Sequence, residues 1–267
     1  MNSLRETYET LKIARHGDHI LTITLNRPDA SNAMNTQMGR DLMELFETFQ
    51  IDLQDLRCIV LTGAGEKAFC AGGDLKERRG MTDEAWMAQH AIYERMLRAV
   101  LACPLPVIAA VNGAAYGGGC EIAAAADFVY ASENARFALT EVTLGIMPGA
   151  GGTQNLPRAV GMRRAKEIIL TGRPFTAEQA ERWGLANTVV PLAHLMDAAL
   201  ETARRIADNA PIATRQAKQS VQRGMQMSLW DALAFEIEAY NRMVATEDRR
   251  EGVNAFNEKR KPVFRNR

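Results

Sequence analysis

Two glutamates and three glycine-rich segments are the residues of this chain whose types and spacing could support catalysis. Glu121 follows the glycine run 117–119 and is the only charged residue in the alanine-rich stretch that comes after it. Glu141 lies 20 residues further along (141 − 121 = 20), ahead of a segment rich in proline and glycine. Glycine lets the backbone approach a ligand closely, and a carboxylate can act as a general acid or base. Together they indicate acid–base chemistry next to exposed backbone N–H groups.

The glycine segments 71–73, 117–119 and 149–152 could bind a phosphate or form an oxyanion hole. The chain has no G-x-x-x-x-G-K-[ST] and no G-x-G-x-x-G after an early strand, so nucleotide binding of those kinds is poorly supported. It also has no G-x-S-x-G, and no histidine is suggestively placed for Cys70 or Cys120, which makes covalent acyl transfer a weak interpretation. An oxyanion hole without a nucleophile favours stabilisation of an enolate.

Spacing alone leaves simpler roles open for both glutamates. Glu121 could merely complement the positive end of a helix, and Glu141 could be an ordinary surface carboxylate beside a loop. The spacing of the two glutamates is therefore compatible both with acid–base catalysis and with these simpler roles.

Composition narrows the class of protein. The 267 residues are 47% hydrophobic and carry 32 basic and 32 acidic side chains, so no net charge favours nucleic acid or an anionic membrane. No apolar stretch reaches the roughly 18–20 residues that a bilayer span requires, and the N-terminal residues lack the apolar core of a signal peptide. The four cysteines are scattered without a C-x-x-C pair, and His16 and His19 flank a turn, so we expect no metal site. Scattered cysteines also indicate no disulfide framework, which predicts a cytoplasmic protein.

Strands and helices alternate through the first two thirds of the chain, which predicts an α/β domain with parallel strand pairs. The predicted strands and helices are a strand near 20–25, a helix within 34–52, strands at 57–63, 105–113 and 127–132, a helix over 82–103 capped by Thr82 or Asp83, and a short helix after the glycines. Residues 64–74 and 135–154 are predicted as loops.

The last third is predicted to be mostly helical. Thr176 and Gln179 form a capping-box pattern for a helix that Gly184 ends, and residues 187–191 are predicted as a short strand. Helices follow at roughly 195–208, 211–225, 228–245 and 247–259. We therefore predict an α/β core over residues 1–191 and a helical C-terminal subdomain over residues 192–267.

Four segments together resemble the crotonase, or enoyl-CoA hydratase/isomerase, superfamily. They are AFCAGGDLKE, IAAVNGAAYGGGCEIAAAADFVYAS, FALTEVTLGIMPGAGGTQNLPRAVG and EDRREGVNAFNEKRKPVF. The resemblance runs in order from Ile20 to Phe264 and so covers nearly the whole chain. It implies a spiral of repeated ββα units, with C-terminal helices that pack within a homotrimer, commonly as two stacked trimers forming a homohexamer.

Matched residue by residue, the resemblance assigns Ala71 and Gly118 as the two N–H donors to a thioester carbonyl. It assigns Glu121 and Glu141 as the two catalytic carboxylates of the hydratases. Ala71, Gly118 and four further positions are expected to bind substrate: Gly72, Gly73, Asp74 and Lys259.

The activity that the resemblance implies is hydration of the 2,3 double bond of an enoyl-CoA, as in the β-oxidation of fatty acids. Coenzyme A is then part of the substrate, and no separate cofactor or metal is expected. Alternatives on the same scaffold are an isomerase that uses Glu141 as its sole base and a methylglutaconyl-CoA-type hydratase. A non-enzymatic RNA-binding role has less support, because the helix over 82–103 contains few basic residues.

Several residues depart from the hydratase pattern or leave their role open. Thr140 replaces a frequent proline and Asn155 a frequent arginine, both at walls of the expected acyl pocket. The basic residues Lys76, Arg78 and Arg79 could meet coenzyme A phosphates, although solvated surface charges are the favoured interpretation.

Overall fold

A computed structural model describes residue 5 and residues 7–267. The predicted core domain begins at residue 1, so residues 1–4 and 6 of it lie outside the described part. The strands are β1 Leu11–His16, β2 Ile20–Leu25, β3 Cys58–Gly63, β4 Ala68–Cys70, β5 Val107–Val111, β6 Ala114–Tyr116, β7 Phe128–Ser132, β8 Arg136–Ala138, β9 Phe175–Thr176 and β10 Thr188–Val190. The helices are α1 Thr36–Ile51, α2 Leu75–Arg78, α3 Asp83–Leu101, α4 Gly118–Ala125, α5 Gly152–Val160, α6 Met162–Thr171, α7 Ala177–Trp183, α8 Leu195–Ala207, α9 Pro211–Gly224, α10 Leu229–Val244 and α11 Glu247–Asn257.

The strands form two sheets, one of six strands in the order β1-β2-β3-β5-β7-β10 and one of four in the order β4-β6-β8-β9. All pairs of the larger sheet are parallel except β1 with β2, and those of the smaller sheet are parallel except β8 with β9. The predicted mixed α/β fold with parallel pairings is confirmed.

The larger sheet is covered on both faces, and alternate residues of its strands supply the two cores. In β3, Ile59 and Leu61 join the main core with α1 and α3, whereas Cys58 and Val60 point to the opposite face and pack against α8. This is the period-two alternation of a strand, here apolar on both sides because helices cover both faces.

The smaller sheet differs from the sequence prediction. Strand β4 lies within residues 64–74 and β8 within residues 135–154, both of which were predicted as loops. Along the chain, each of them follows a strand of the larger sheet. The chain thus alternates between the two sheets in the order β3, β4, then β5, β6, then β7, β8. At three residues each, β4 and β8 are too short to show a two-residue alternation in the sequence.

Helix boundaries follow the predicted capping residues. The Thr82 hydroxyl accepts a hydrogen bond from the Ala85 N–H at the start of α3. Thr176 and Gln179 form the full capping box of α7, and Gly184 ends that helix in the left-handed conformation, with a φ of 90°. These local signals predicted the helices well because capping satisfies N–H groups that a helix itself leaves unpaired.

The four predicted C-terminal helices are present as α8 to α11. Helix α8 packs on the six-stranded sheet, whereas α9 and α10 pack against each other. The division at residue 192 remains a prediction. Helices α10 and α11 expose many apolar side chains, among them Leu229, Trp230, Ile237, Tyr240 and Phe256.

All four cysteines are free and buried. Desolvation by burial raises the pKa of the Cys58 thiol to about 12 and that of Cys70 and Cys103 to about 11, and it also raises that of Cys120. No helix in the described part of the chain combines the length and apolar character needed to cross a membrane.

Candidate active site

Three loops meet where neighbouring strands of the smaller sheet end. The order β4-β6-β8 is parallel, with Ala115 opposite both Cys70 and Phe137, so the carboxyl ends of these strands lie side by side. The loops that leave them contain the glycine segment 71–73, the glycine run 117–119 followed by Glu121, and Glu141. The sheet topology therefore brings together residues that are up to 70 positions apart in the sequence.

Glu121 lies in the first turn of α4 and is only 3% exposed. Its Oε1 accepts hydrogen bonds from the N–H groups of Ala150 and Gly152, both at 2.8 Å. The third glycine segment thus holds this carboxylate rather than facing a ligand through those two amides. Two fixed donors orient the Glu121 side chain and leave Oε2 for another partner.

Glu141 is the first residue of a 3₁₀ helix that follows β8. It is 9% exposed, and its Oε2 is buried without a hydrogen-bond partner among the described residues. Its Oε1 lies near the glycine run, since a Cβ placed on Gly117 would be 3.2 Å from it. A buried carboxylate oxygen without a partner costs free energy, so this atom indicates a site for a ligand or water.

Burial raises the pKa of both glutamates, and the charge of Glu141 also acts on Glu121. Burial is the main cause that raises the pKa of Glu121 to about 7, and the charge of Glu141 raises it further. The hydrogen bond from the Gly152 N–H acts in the opposite direction. Burial likewise raises the pKa of Glu141, against the opposing effects of its own backbone N–H and of the Arg78 charge. With a pKa of about 7, the Glu121 carboxyl can take up or release a proton near neutral pH, as a general acid or base must.

The three consecutive glycines have different structural roles. Gly117 has a φ of 50°, in the left-handed region that favours glycine. A Cβ on Gly119 would lie 2.1 Å from the Cys70 carbonyl oxygen, so this residue allows α4 to pack against β4. A Cβ on Gly118 would meet only the mobile end of the Met34 side chain closely, at 2.9 Å.

The N–H of Ala71, which the resemblance assigns as a donor to the thioester, is not free in the structure. Its N–H donates a hydrogen bond of 3.1 Å to the Ser31 carbonyl oxygen and is therefore already used within the fold. The chain runs beside residues 31–34 here, so successive N–H groups alternate between that neighbour and the opposite side.

Gly73 is the residue whose N–H faces the opposite side. It forms a parallel bridge with Met34, in which the Met34 N–H donates to the Gly72 carbonyl and the Asp74 N–H donates to the Met34 carbonyl. In that pattern the N–H of the intervening residue points away from its partner strand. It donates to no described residue, and neither does that of Gly118, the first residue of α4.

The loops that carry these two N–H groups touch. A Cβ on Gly72 would lie 2.8 Å from the Tyr116 carbonyl oxygen and 3.5 Å from the Gly118 nitrogen. Gly72 is thus the close-packed residue between the two segments, and its φ of 92° also favours glycine.

Two other predicted substrate-binding residues lie in different surroundings. Asp74 is buried and caps α2 by accepting hydrogen bonds from the Lys76 and Glu77 N–H groups, and its other oxygen pairs with Arg27 at 2.9 Å. Lys259 is exposed just beyond the end of α11, with no described contact to the glutamates. Within the described chain, no group of three or more His, Cys, Asp or Glu side chains could hold a metal ion.

Sequence reasoning underestimated Arg78. Rather than a solvated surface charge, its side chain is half-buried, and it lies over the ring of Trp86 with 4.3 Å between the guanidinium carbon and the ring centroid. Trp86 and Tyr93, seven residues apart in the following helix, lie on the same face of that helix. Two aromatic residues at this spacing are the sequence signal that could have indicated a partner for Arg78.

The chain is similar to known enoyl-CoA hydratases along nearly its whole length. The enoyl-CoA hydratase/isomerase family profile matches residues 15–267. A short-chain-enoyl-CoA hydratase of Clostridium acetobutylicum is 44% identical, over 93% of this chain and 95% of the relative. A 2,3-dehydroadipyl-CoA hydratase of Escherichia coli is 41% identical, over 96% of this chain and 98% of the relative. The crystal structure of an enoyl-CoA hydratase from Bacillus anthracis superposes with a TM-score of 0.95 at 43% identity, covering 97% of this chain and all of the other.

Proposed function

Because the chain belongs to the enoyl-CoA hydratase/isomerase family, we propose that it adds water across the 2,3 double bond of an enoyl-CoA thioester with Glu121 and Glu141 as the acid–base pair. The observation that carries this proposal is the buried, unpartnered Oε2 of Glu141 close to Glu121, whose pKa is about 7. A water molecule held between two such carboxylates can lose a proton to one of them while the other supplies a proton.

In the proposed reaction, Glu121 takes a proton from water as the water oxygen bonds to C3 of the substrate. The electrons of the double bond move toward the thioester carbonyl, which acquires enolate character. Glu141 then gives a proton to C2, and proton exchange with solvent restores the starting state of the pair. The raised pKa values of both carboxyls favour retention of a proton within the pair, which the reaction requires.

We propose that the N–H groups of Gly73 and Gly118 form the oxyanion hole, with Gly73 in place of Ala71. The support is that neither N–H donates to a described residue and that the two loops are in contact. Donors fixed in advance stabilise the charge that develops on the carbonyl oxygen during the reaction. Lys259 is proposed to contact a coenzyme A phosphate. Because it has no described contact with the glutamates of its own chain, that coenzyme A could be bound in a neighbouring subunit.

We also propose that the protein assembles as a homotrimer or as two stacked trimers. The large apolar side chains of α10 and α11 that are exposed in the single chain include Leu229, Trp230, Leu233, Ile237, Tyr240 and Phe256. An exposed apolar surface of this kind is typical of an interface between subunits.

The acyl group is open within the family. The two relatives act, by their names, on short-chain enoyl-CoA and on the dicarboxylic 2,3-dehydroadipyl-CoA. We propose a role in the metabolism of fatty or related acids, in which enoyl-CoA hydration is a step of β-oxidation.

The decisive experiment compares 2-enoyl-CoA and 3-enoyl-CoA substrates of the same length. Hydration removes the ultraviolet absorbance of the conjugated 2-enoyl thioester, and we expect that decrease with water incorporated at C3. Isomerisation would instead convert 3-enoyl-CoA into the conjugated thioester and raise the absorbance. An enzyme active only in the second assay would contradict the proposed hydratase activity.

A further inference from the structure

The guanidinium of Arg78 is held in one orientation by two aromatic rings and an amide. Its carbon lies 4.3 Å from the ring centroid of Trp86 and 5.5 Å from that of Tyr93. Its Nε donates a hydrogen bond of 2.8 Å to Oε1 of Gln89. A guanidinium stacked on aromatic faces loses little further freedom when it binds a planar anion.

The residues behind Arg78 are themselves fixed. Gln89 is 2% exposed, and its Nε2 donates to the Thr36 hydroxyl and to the Glu77 carboxylate, both at 2.8 Å. The Tyr93 hydroxyl donates to the Met34 carbonyl at 2.6 Å. Helix α3 and the start of α1 therefore hold the guanidinium in place.

The carboxylates of Asp74 and Glu77 pair with groups other than Arg78. Asp74 pairs with Arg27 and caps α2, while Glu77 accepts hydrogen bonds from the Thr36 N–H and from Gln89. Among the described residues, Arg78 forms no ion pair, and neither Nη1 nor Nη2 donates a hydrogen bond. The two terminal nitrogens thus form an oriented, half-buried fork without an anion.

This fork lies against the loop of the proposed oxyanion hole. A Cβ placed on Gly73 would be 3.2 Å from both the guanidinium carbon and Nη1, and 3.5 Å from Nη2. The Arg78 charge also reaches Glu141, since it opposes the rise in the pKa of that carboxyl. Arg78 therefore lies beside the reacting part of a bound thioester.

We propose that Arg78 binds a carboxylate carried by the acyl group, so that the preferred substrates are enoyl-CoA thioesters of dicarboxylic acids. The planar fork of arginine matches a carboxylate in a bidentate manner, and an anion would supply the partner that the protein does not. This inference rests on the proposed hydratase function and specifies its substrate class.

A matched pair of substrates tests the inference. One is the 2-enoyl-CoA of a six-carbon dicarboxylic acid, and the other is 2-hexenoyl-CoA, which has the same chain length without the carboxylate. We expect wild type to have the higher kcat/KM for the dicarboxylic thioester. Arg78→Gln should lower the ratio of the two kcat/KM values by about 10–100-fold, since a hydrogen-bonded charge partner is lost. Arg78→Lys keeps the charge without the fork and should give an intermediate ratio.

The control is Arg95→Gln, which removes an exposed arginine of α3 that pairs with Glu47. Its ratio should match that of wild type. Equal losses on both substrates in the Arg78 variants would overturn the inference, because they would indicate contact with coenzyme A, which both substrates share. An unchanged ratio would overturn it as well.

The two proposals fail in distinguishable ways. A wild-type enzyme that hydrates neither thioester contradicts the hydratase function itself. A wild-type enzyme that hydrates 2-hexenoyl-CoA, with no preference that depends on Arg78, contradicts only the assignment of the acyl group.

Discussion

Glu121 and Glu141 are buried carboxylates that differ in their hydrogen-bond partners. Two backbone N–H groups hold Glu121, whereas Glu141 has a buried oxygen without a partner among the described residues. We expect Glu121→Gln and Glu141→Gln each to lower kcat for hydration by about 10²–10⁴-fold, the usual contribution of a positioned acid or base. Steady-state kinetics measure this, and full turnover by Glu141→Gln would contradict the two-carboxylate mechanism.

The raised pKa of Glu121 also predicts a dependence of stability on pH. Burial moves it from 4.5 to about 7, so the native state binds more protons than the unfolded state between these pH values. The free energy of unfolding therefore falls as the pH rises through this range, by up to about 3 kcal/mol from this group. Glu121→Gln still offers an oxygen to the Ala150 and Gly152 N–H groups but cannot ionise.

Chemical denaturation at pH 5 and pH 8 measures that difference. We expect the stability of wild type to decrease more between these pH values than that of Glu121→Gln. Replacement of the exposed Glu66 by Gln is the matched control and should behave like wild type. Parallel pH dependences in wild type and Glu121→Gln would show that the carboxyl is not costly to ionise.

Adjacent glycines allow the fold and the reaction to be separated. Gly119→Ala should destabilise the protein by about 1–3 kcal/mol, because its Cβ would overlap the Cys70 carbonyl of a packed strand. Gly118→Val meets mainly the flexible end of Met34, so we expect a folded protein. Its hydration rate should fall by at least about 10²-fold, because the added side chain would crowd the thioester or turn the residue 118 N–H away from the carbonyl oxygen. Thermal melting and kinetics on the same samples test both. A Gly118→Val enzyme with the wild-type rate would place the second donor elsewhere.

The sequence indicated the acidic residues of the site better than the backbone donors. Glu121 and Glu141 are recognisable by residue type, and the sheet topology does bring them together. Whether Ala71 or Gly73 presents a free N–H depends on which side of the strand faces residues 31–34, and that register is a tertiary property. Arg78 was misjudged because its aromatic neighbours lie on the following helix.

At the scale of the secondary-structure elements, Asn112 connects the turn between β5 and β6 to the turn between β3 and β4. It lies between β5 and β6, its Oδ1 accepts from the Gly63 N–H, and its Nδ2 donates to the carbonyls of Gly63 and Gly65. Asn112→Ala would leave these backbone groups without partners, at a cost of about 1–3 kcal/mol for each buried one. We expect the free energy of unfolding to fall by at least about 2 kcal/mol in denaturant titrations.

Asn209→Ala is a suitable control for that variant, because Asn209 is exposed after α8. Its stability should stay close to that of wild type. Equal stabilities for the two alanine variants would mean that these turns do not depend on the Asn112 amide.

Long elements were predictable because each has its own periodic signal or cap. Residues 38–49 carry apolar side chains at helical spacing, which form the buried face of α1, and Thr176 with Gln179 predicted the start of α7. The short strands β4, β6 and β8 owe their existence to pairing with one another, so sequence patterns alone could not show them.

For the whole molecule, the exposed apolar face of α10 and α11 predicts assembly. Trp230 and Phe256 are 79% and 84% exposed in the single chain. We expect light scattering to give the mass of three or six chains at micromolar concentration, and Trp230→Asp to shift the distribution toward smaller species. Ile51→Asp, at a similarly exposed apolar position at the end of α1, is the control and should leave the mass unchanged. A stable wild-type monomer would contradict the proposed trimer.

The burial of all four cysteines has a practical consequence for spectroscopy. Thiol reagents attack the thiolate, and the Cys58, Cys70, Cys103 and Cys120 side chains are both shielded from solvent and held in the neutral form by their raised pKa values. The native protein should therefore react slowly with maleimides. A single cysteine introduced on the surface, for example in α10, could then carry a fluorophore or spin label without removal of the native thiols, and labels on two subunits would report the distance between them.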